Sequence, residues 1–290
     1  MSEVQGTGLV GLTEIEAAAQ RLAGVAIRTP LLPVDSLSER VGAEVRLKCE
    51  NLQRAGSFKI RGAYNFVSQL SDDQIGNGII TYSSGNHAQA VALAGRLRGL
   101  RAVVVMPTDA PAVKRKGAER LGAELHFEGT TSVERKRRAE ELARAEGLAM
   151  VPPFDHRHII AGQGTVGLEI AKEWADVDIV LAPIGGGGLA SGVAAAVKRM
   201  LPGTRVIGVE PAGAASMRAA LDAGGPTLLD SVDTIADGLK PVIAGELTYE
   251  HAAGLLDDVV TVDDEAIRKA TAALVGHHKL VVEFSGAATT

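Results

Sequence analysis

The chain has 290 residues, a length that suits one large domain or two of modest size. Apolar residues make up 46% and charged residues 22%, the balance of an ordinary globular protein. A net charge of -5 gives no electrostatic reason to expect a nucleic acid or an anionic membrane as partner. No apolar run approaches the ~20 residues of a membrane span, and the N-terminus lacks a signal pattern. A single cysteine, Cys49, excludes an intramolecular disulfide, and we expect a cytoplasmic protein.

The predicted elements alternate along the chain. An amphipathic helix over 14–24 comes first, with Thr13 and Glu16 as its capping box. Strands are predicted at 45–49, 78–82, 102–106, 124–127, 149–151, 179–184, 206–209 and 259–262. Further helices are predicted at 58–70, 86–97, 112–121, 133–146, 164–174, 189–200 and 264–275.

This alternation predicts an α/β protein built from βαβ units, with parallel sheets covered by helices on both faces. We expect a cleft between two domains, a discontinuous large one of residues 1–74 and 153–290 and a small one of residues 75–152. Two basic clusters, Lys114–Lys116 and Arg135–Arg138, are interleaved with glutamates, which predicts solvated helix faces.

Lys59 stands where a strand leads through a polar turn into a helix. A helix N-terminus and apolar neighbours such as Phe58 and Ile60 disfavour an ammonium, so we expect the pKa of Lys59 to fall toward neutrality. That is the state which a Schiff-base lysine requires. Most lysines at helix starts simply lie on the surface, so Lys59 taken alone decides nothing.

A glycine-rich segment, Gly185–Leu189, joins another strand to a helix. Its four glycines free several backbone N–H groups to face one point, which indicates a phosphate cradle rather than a flexible linker. The same stretch matches a dinucleotide fingerprint ending at Ala190, with Glu210 about 20 residues further on. An NAD-dependent oxidoreductase is therefore the alternative from a different class, although it leaves Lys59 unexplained.

A third strand-to-helix connection consists of Ser83, Ser84, Gly85, Asn86 and His87. Its hydroxyls, amide and exposed N–H groups suit a carboxylate ligand. The plainer alternative is that Ser84 or Asn86 only caps the following helix. A carboxylate site, an anion cradle and an amine of lowered pKa together describe an amino acid held on a phosphorylated aldehyde cofactor.

Six motifs occur in a fixed order along nearly the whole chain: GSFKIRGA, SSGNHAQA, IAGQGT, GGGGLASG, DGLK and VVEFSGA. The set resembles the threonine/serine dehydratase (ammonia-lyase) and serine racemase family of pyridoxal-phosphate enzymes, fold type II. The resemblance implies a two-domain fold like that of the tryptophan synthase β subunit, with the cofactor in the cleft.

The resemblance also implies roles for single residues. Lys59 would form the Schiff base with pyridoxal 5'-phosphate. Contacts to the cofactor ring are implied for Phe58, Asn86, Gly238 and Glu283. Phosphate binding is implied for Gly185, Gly186, Gly187, Gly188 and Leu189. Binding of the substrate carboxylate is implied for Ser83, Ser84, Asn86 and His87.

Three departures from the family pattern matter. At position 84 typical dehydratases carry Ala, whereas racemases carry Ser as a second base. This chain has Ser84, as in racemases, but its Phe154-Asp155 resembles the dehydratase pattern. The two markers therefore conflict. A divalent cation such as Mg²⁺ is implied at Glu210 and the Ala214 carbonyl, but Ser216 replaces the usual Asp and supplies less charge. An S-G-G-N segment that contacts the pyridine nitrogen would lie beyond Thr290, so we expect altered tuning of the ring and no C-terminal regulatory domain.

These observations predict an ammonia-lyase that converts L-threonine or L-serine to a 2-oxo acid and ammonia. In this scheme Lys59 removes the α-proton. A serine racemase, with Ser84 as second catalytic base, and a 3-hydroxyaspartate dehydratase are the alternatives within the family. A cofactor-binding protein of little activity is a further alternative. The family suggests a homodimer or homotetramer.

Overall fold

The computed structural model describes residues 8–83 and 85–290. Strands β1 to β9 span Leu31–Pro33, Arg46–Lys48, Ile79–Tyr82, Ala102–Met106, Glu124–Phe127, Ala149–Met150, Ile179–Pro183, Arg205–Pro211 and Asp258–Val262. Helices α1 to α13 span Leu12–Arg21, Asp35–Val41, Lys59–Val67, Asp72–Ile75, Asn86–Arg98, Ala112–Arg120, Ser132–Glu146, Arg157–Glu173, Gly188–Met200, Ser216–Ala223, Glu246–Leu255, Asp264–Gly276 and Phe284–Ala287.

Two parallel sheets form the framework, which confirms the predicted α/β class. The first has the strand order β5-β4-β3-β6 and the second the order β7-β8-β9, while β1 and β2 form a separate antiparallel pair. All strands of the first sheet fall within the predicted small domain. The domain boundaries themselves stay a prediction, because one apolar cluster joins Ile60 of α3 and Ile159 of α8 to Ile79 of β3.

The two sheets differ in how well their faces are covered. Every residue of β4 is buried, as expected for a parallel strand with helices on both sides. In the second sheet Ile179 and Leu181 of β7 are each 46% exposed, and Val260 of β9 is 39% exposed. The strand register places these three residues on one face. The predicted class of parallel sheets covered by helices is confirmed, and this part of the second sheet is less completely covered than the first sheet.

The amino-terminal helix begins earlier than its sequence pattern predicts. Gly11, not Thr13, is the N-cap of α1, and its N–H donates to Oε2 of Glu14 at 2.9 Å. The predicted capping box of Thr13 and Glu16 is thus wrong. Leu12 packs on the apolar cluster around Ile15, which explains why the helix extends to it.

Helix α8 is longer than its sequence pattern predicts. It begins at Arg157, where the sequence predicted a start at residue 164, and 12 of its 17 residues are buried. A helix that is apolar all round shows no amphipathic period, which removes the principal local signal. Helices α10 and α11 were not predicted at all.

Close packing of α8 against α3 and α9 depends on glycine. A Cβ on Gly162 would meet the carbonyl oxygen of Arg61 at 2.5 Å, and a Cβ on Gly192 of α9 would overlap the backbone nitrogen of Gly164. The three helix backbones therefore touch where a side chain would hold them apart. This packing brings the start of α3, with Lys59, against α8, which in turn packs on α9.

An ion cluster around Arg61 fixes the start of α3. The Arg61 side chain is 1% exposed, and its guanidinium donates to both Glu50 and Glu169 at 2.6–3.0 Å. It also donates to Thr165 Oγ1 and to the carbonyl of Ile27, each at 3.1 Å. Every donor of this buried charge is thereby used, which is the condition for burying a charge.

Within the described residues, no helix is both long enough and apolar enough to cross a lipid bilayer.

We predict that Gly192→Ala lowers the free energy of unfolding by about 1–3 kcal/mol, because the added methyl group must force two helix backbones apart. Urea unfolding followed by circular dichroism measures the change. Gly276→Ala is the matched control, since that position lies at the end of α12 with open space around it. Equal midpoints for the two variants would contradict the packing described for α8 and α9.

Candidate active site

The candidate site lies where loops leave the carboxyl ends of parallel strands. Strand β3 leads into the loop Ser83–His87, β6 into Pro153–Asp155, and β7 into Gly185–Leu189. Ligands of open α/β proteins bind at this edge of the sheet. Contacts among these loops bring most of the predicted site residues together.

Lys59 is the first residue of α3 and extends toward the loop after β6. Its Nζ donates to the carbonyl oxygen of Pro153 at 2.8 Å. Burial of the amine lowers the pKa of Lys59 to about 8, and the carboxylate of Glu283 opposes this shift. At pH 7.5 such a pKa leaves about a quarter of the amine neutral, against about 0.1% for an ordinary lysine.

Phe58 precedes Lys59 and packs beneath it. The Lys59 Nζ lies 5.4 Å from the centroid of the Phe58 ring. Phe58 and Leu189 both pack against one apolar cluster of α8, α9 and the second sheet. The family resemblance implies that Phe58 contacts the cofactor ring and that Leu189 contacts the phosphate. The base of the site is therefore apolar.

The glycine-rich segment forms a tight turn in which side chains at Gly186 and Gly187 would clash with neighbouring residues. Gly187 has φ 93°, a left-handed conformation that glycine adopts without strain, and Gly188 opens α9. The Phe154 ring occupies the space that a Cβ on Gly186 would need. The first turn of α9 offers unpaired backbone N–H groups and the positive end of a helix dipole, which suit a phosphate.

The loop after β3 is only partly within the described chain. Ser83 Oγ accepts the N–H of Gly85 at 3.2 Å, and α5 begins at Asn86. Ser84, the predicted second base, lies outside the described residues.

His87 is directed into the interior. Its Nε2 faces the carbonyl oxygen of Val151 at 3.2 Å. Burial lowers the pKa of His87 to about 3, and the positive charge of Lys59 adds to this shift. The ring is therefore neutral, and it donates to Val151 through Nε2. Any contact of His87 with a substrate carboxylate would have to use its backbone N–H.

Two predicted ring-contacting residues meet across the cleft. Asn86 Nδ2 donates to Glu283 Oε1 at 2.6 Å. Loss of hydration raises the pKa of Glu283, although the bond from Asn86 acts in the opposite direction. Gly238 lies beside Glu283, and its N–H donates to Ser285 Oγ at 2.9 Å.

A second contact across the cleft corrects the interpretation of a basic cluster. Lys114 was predicted to lie on a solvated helix face, but its Nζ forms an ion pair with Asp237. Asp237 precedes Gly238, so this pair borders the site. The sequence could not show the contact, because the two residues lie on different elements that only the tertiary fold brings together.

Three groups that make contacts in the site had no role predicted from the sequence. They are the carbonyl of Pro153, the hydroxyl of Thr248 and the hydroxyl of Ser285. Thr248 belongs to α11, which was not predicted, and backbone carbonyls have no sequence signature. Ser285 lies in the VVEFSGA motif, which pointed to this region without indicating its contact with Gly238.

The residues suggested for a divalent cation do not fit one well. Glu210 is 0% exposed, and its two oxygens accept the N–H groups of Met217 and Arg218 at 2.8 Å each, so it caps α10. Burial raises the pKa of Glu210 to about 7. Ser216 and the Ala214 carbonyl would add no charge, and a hard cation prefers several carboxylates. The described residues contain no group of three or more acidic, histidine or cysteine side chains suited to a metal.

Known proteins are similar to this chain in fold and in sequence. The family described as pyridoxal-phosphate dependent enzyme matches residues 22–290. The chain is 42% identical to the L-threonine ammonia-lyase of Thermotoga maritima, over 96% of this chain and 70% of that protein. It is also 42% identical to threonine dehydratase 2 of Solanum lycopersicum, over 94% of this chain. The solved structure of maize serine racemase superposes with a TM-score of 0.94 at 38% identity, covering 98% of this chain and 87% of that one.

The chain spans about half the length of several of these relatives. It covers 46% of the Solanum lycopersicum protein and 45% of a threonine dehydratase from Nicotiana attenuata. The similarity is limited to the part that this chain shares with those relatives, and it supports the fold and the family of this chain.

We predict that Glu283→Gln lowers the pKa of Lys59 below its value of about 8. A neutral amide no longer stabilises the ammonium, so the burial effect acts unopposed. Competitive acylation with acetic anhydride across pH 6–11, read by mass spectrometry of the Lys59 peptide, gives this pKa in the cofactor-free protein.

Glu265→Gln, an exposed carboxylate on α12, is the control and should leave the pKa of Lys59 unchanged. A pKa that stays the same or rises in Glu283→Gln would show that Glu283 does not act on the Lys59 amine.

Proposed function

This chain belongs to the family of pyridoxal-phosphate dependent enzymes, and we propose that it is an ammonia-lyase acting on L-threonine or L-serine. The reaction is an α,β-elimination that gives a 2-oxo acid and ammonia. Support comes from relatives named threonine dehydratase and L-threonine ammonia-lyase. The observation that carries the proposal is a buried lysine amine of lowered pKa, bonded to the Pro153 carbonyl, next to Phe154, whose ring packs on the glycine turn.

The site fits pyridoxal phosphate by its shape and its chemistry. The glycines let the turn pack tightly on Phe154 and Thr248, and α9 begins at its end, so the backbone N–H groups of Gly185–Leu189 would hold the phosphate. Lys59 would bind the aldehyde carbon through Nζ. Phe58, Asn86, Gly238 and Glu283 would surround the ring. When bound, the cofactor supplies an electron sink for negative charge at the substrate α-carbon.

The residues of this chain would divide the remaining work. The substrate carboxylate would lie against Ser83 and the first-turn N–H groups of α5, where a helix N-terminus favours an anion. The Lys59 amine would accept the α-proton at Nζ, since its lowered pKa makes the neutral form more accessible near neutral pH than in an ordinary lysine. His87 stays neutral and buried, so it would not compete for that proton.

Racemisation of serine is the second candidate. Support comes from the residue type at position 84, because the family resemblance implies that Ser84 would act as a second base and exchange the α-proton. Maize serine racemase is among the similar structures. Phe154 favours the dehydratase, and 3-hydroxyaspartate remains an alternative substrate. The nucleotide-binding alternative gives Lys59 no role, and we do not propose it.

The oligomer and the compartment remain predictions from sequence. We expect a homodimer or homotetramer in the cytoplasm. The substrate class is a small amino acid, in line with the named activities of the relatives.

Lys59→Ala should reduce 2-oxo acid formation from L-threonine and L-serine by at least about 1,000-fold, the contribution of a positioned base and nucleophile. In the unmodified protein, borohydride should fix a visible absorbance band onto the Lys59 peptide. Lys269→Ala, on the exposed side of α12, should retain full turnover. Full turnover in Lys59→Ala would falsify the proposal.

Ser84→Ala should abolish interconversion of L- and D-serine while sparing dehydration of the L-isomer. The reason is that only racemisation needs a second base. Chiral chromatography and a 2-oxo acid assay on the same sample measure the two reactions. Equal loss of both activities would argue against a role for Ser84 as a base.

A further inference from the structure

The segment Pro153–Asp155 contacts three parts of the site at once. The Pro153 carbonyl accepts from Lys59 Nζ at 2.8 Å. The Phe154 ring packs on Gly186, and its Cβ lies 3.2 Å from the position of a Cβ on Gly188. Through this segment the lysine and the glycine turn share one support.

Asp155 caps helix α11 from a distant part of the chain. Its Oδ2 accepts the N–H of Glu246 and its Oδ1 accepts the N–H of Thr248, each at 3.1 Å. The preceding Gly245 leaves the necessary room, because a Cβ there would overlap the Asp155 carboxyl group. The carboxylate thus satisfies two N–H groups of the first turn and fixes the position of that turn.

Thr248, held in place by this cap, reaches the glycine turn. It is 0% exposed, and its Oγ1 donates to the Gly186 carbonyl oxygen at 2.8 Å while accepting the Gly245 N–H at 3.1 Å. Its Cβ lies 2.7 Å from the position of a Cβ on Gly187, so it packs directly under the turn.

The contact to Gly186 determines where the next N–H points. The chain has no cis peptide bond in its described part, and in a trans peptide the C=O and the following N–H point in opposite directions. A Gly186 carbonyl held by Thr248 therefore directs the Gly187 N–H away from the Thr248 hydroxyl of α11. Within the described chain no backbone acceptor meets that buried N–H, and buried N–H groups normally have one.

We propose that Thr248 and Asp155 are positioning residues that orient the Gly187 N–H toward the phosphate of the cofactor. This inference rests on the proposed function, since it assumes that the glycine turn receives pyridoxal phosphate. Thr248 acts directly on the peptide and Asp155 acts through Thr248. Neither residue touches the reacting atoms.

The test compares pyridoxal 5'-phosphate with pyridoxal, which lacks the phosphate, as ligands of the full-length cofactor-free protein. Thr248→Val keeps the shape of the side chain and removes its hydroxyl, so it should weaken pyridoxal phosphate binding about tenfold, the effect of one lost hydrogen bond to a charged group. Binding of pyridoxal should stay unchanged. Dissociation constants come from the visible absorbance of the lysine adduct.

Two further variants make the result specific. Thr248→Ser retains the hydroxyl and should restore the affinity for pyridoxal phosphate. Asp155→Asn keeps one acceptor of the cap, so it should produce a smaller loss with the same dependence on the phosphate. If Thr248→Val does not fold, these two variants still decide the question, because the inference requires Thr248→Ser to match the phosphate preference of the wild type and Asp155→Asn to fall below both.

Thr204→Val is the matched control. Thr204 is also buried, and its hydroxyl also donates to a backbone carbonyl, that of Val177 at 2.7 Å, away from the glycine turn. It should lower stability without changing the ratio of the two affinities. Equal weakening of both ligands by Thr248→Val, or none, overturns the inference. Failure of the wild-type protein to bind either ligand overturns the proposed function instead.

Discussion

Arg61 carries its charge into the interior, and its guanidinium is stable there only because Glu50 and Glu169 meet it. Removing one member of such a buried group leaves an uncompensated charge, which costs ~3–5 kcal/mol. Lys59 stands on the same first turn of α3. The ion cluster therefore fixes the turn from which the Lys59 side chain extends, and it does so from the side opposite the cleft loops.

Partial withdrawal from water explains the electrostatic character of the site. The Lys59 amine loses hydration and its pKa falls, while the carboxylate of Glu283 restrains that fall. His87 loses hydration more completely and stays neutral. The pKa of His87 is too low for its imidazole to accept a proton near neutral pH. Of these two groups, Lys59 is therefore the one that accepts a proton in that range.

Contacts across the cleft join helices of the first sheet to segments near the C-terminal end. Asn86 reaches Glu283, and Lys114 reaches Asp237. Exposed ion pairs contribute at most about 1 kcal/mol, so the Lys114 pair orders the border of the site without contributing much to stability. The firm connections lie deeper, in the apolar cluster that α3 and α8 share with β3.

The sequence by itself determined the α/β class, nearly every strand, the lysine and the two loops that flank it. These features are encoded locally: strands and surface helices by hydrophobic period, and the loops by glycine and hydroxyl residues at strand ends. Tertiary structure alone decided the early start of α8, the existence of α11, and the contacts of Lys114 and Thr248. Helix α8 is mostly buried and so lacks a clear amphipathic period. The contacts of Lys114 and Thr248 are made with residues far along the chain, so the sequence next to these residues does not indicate them. Such roles arise only when packing brings distant segments together.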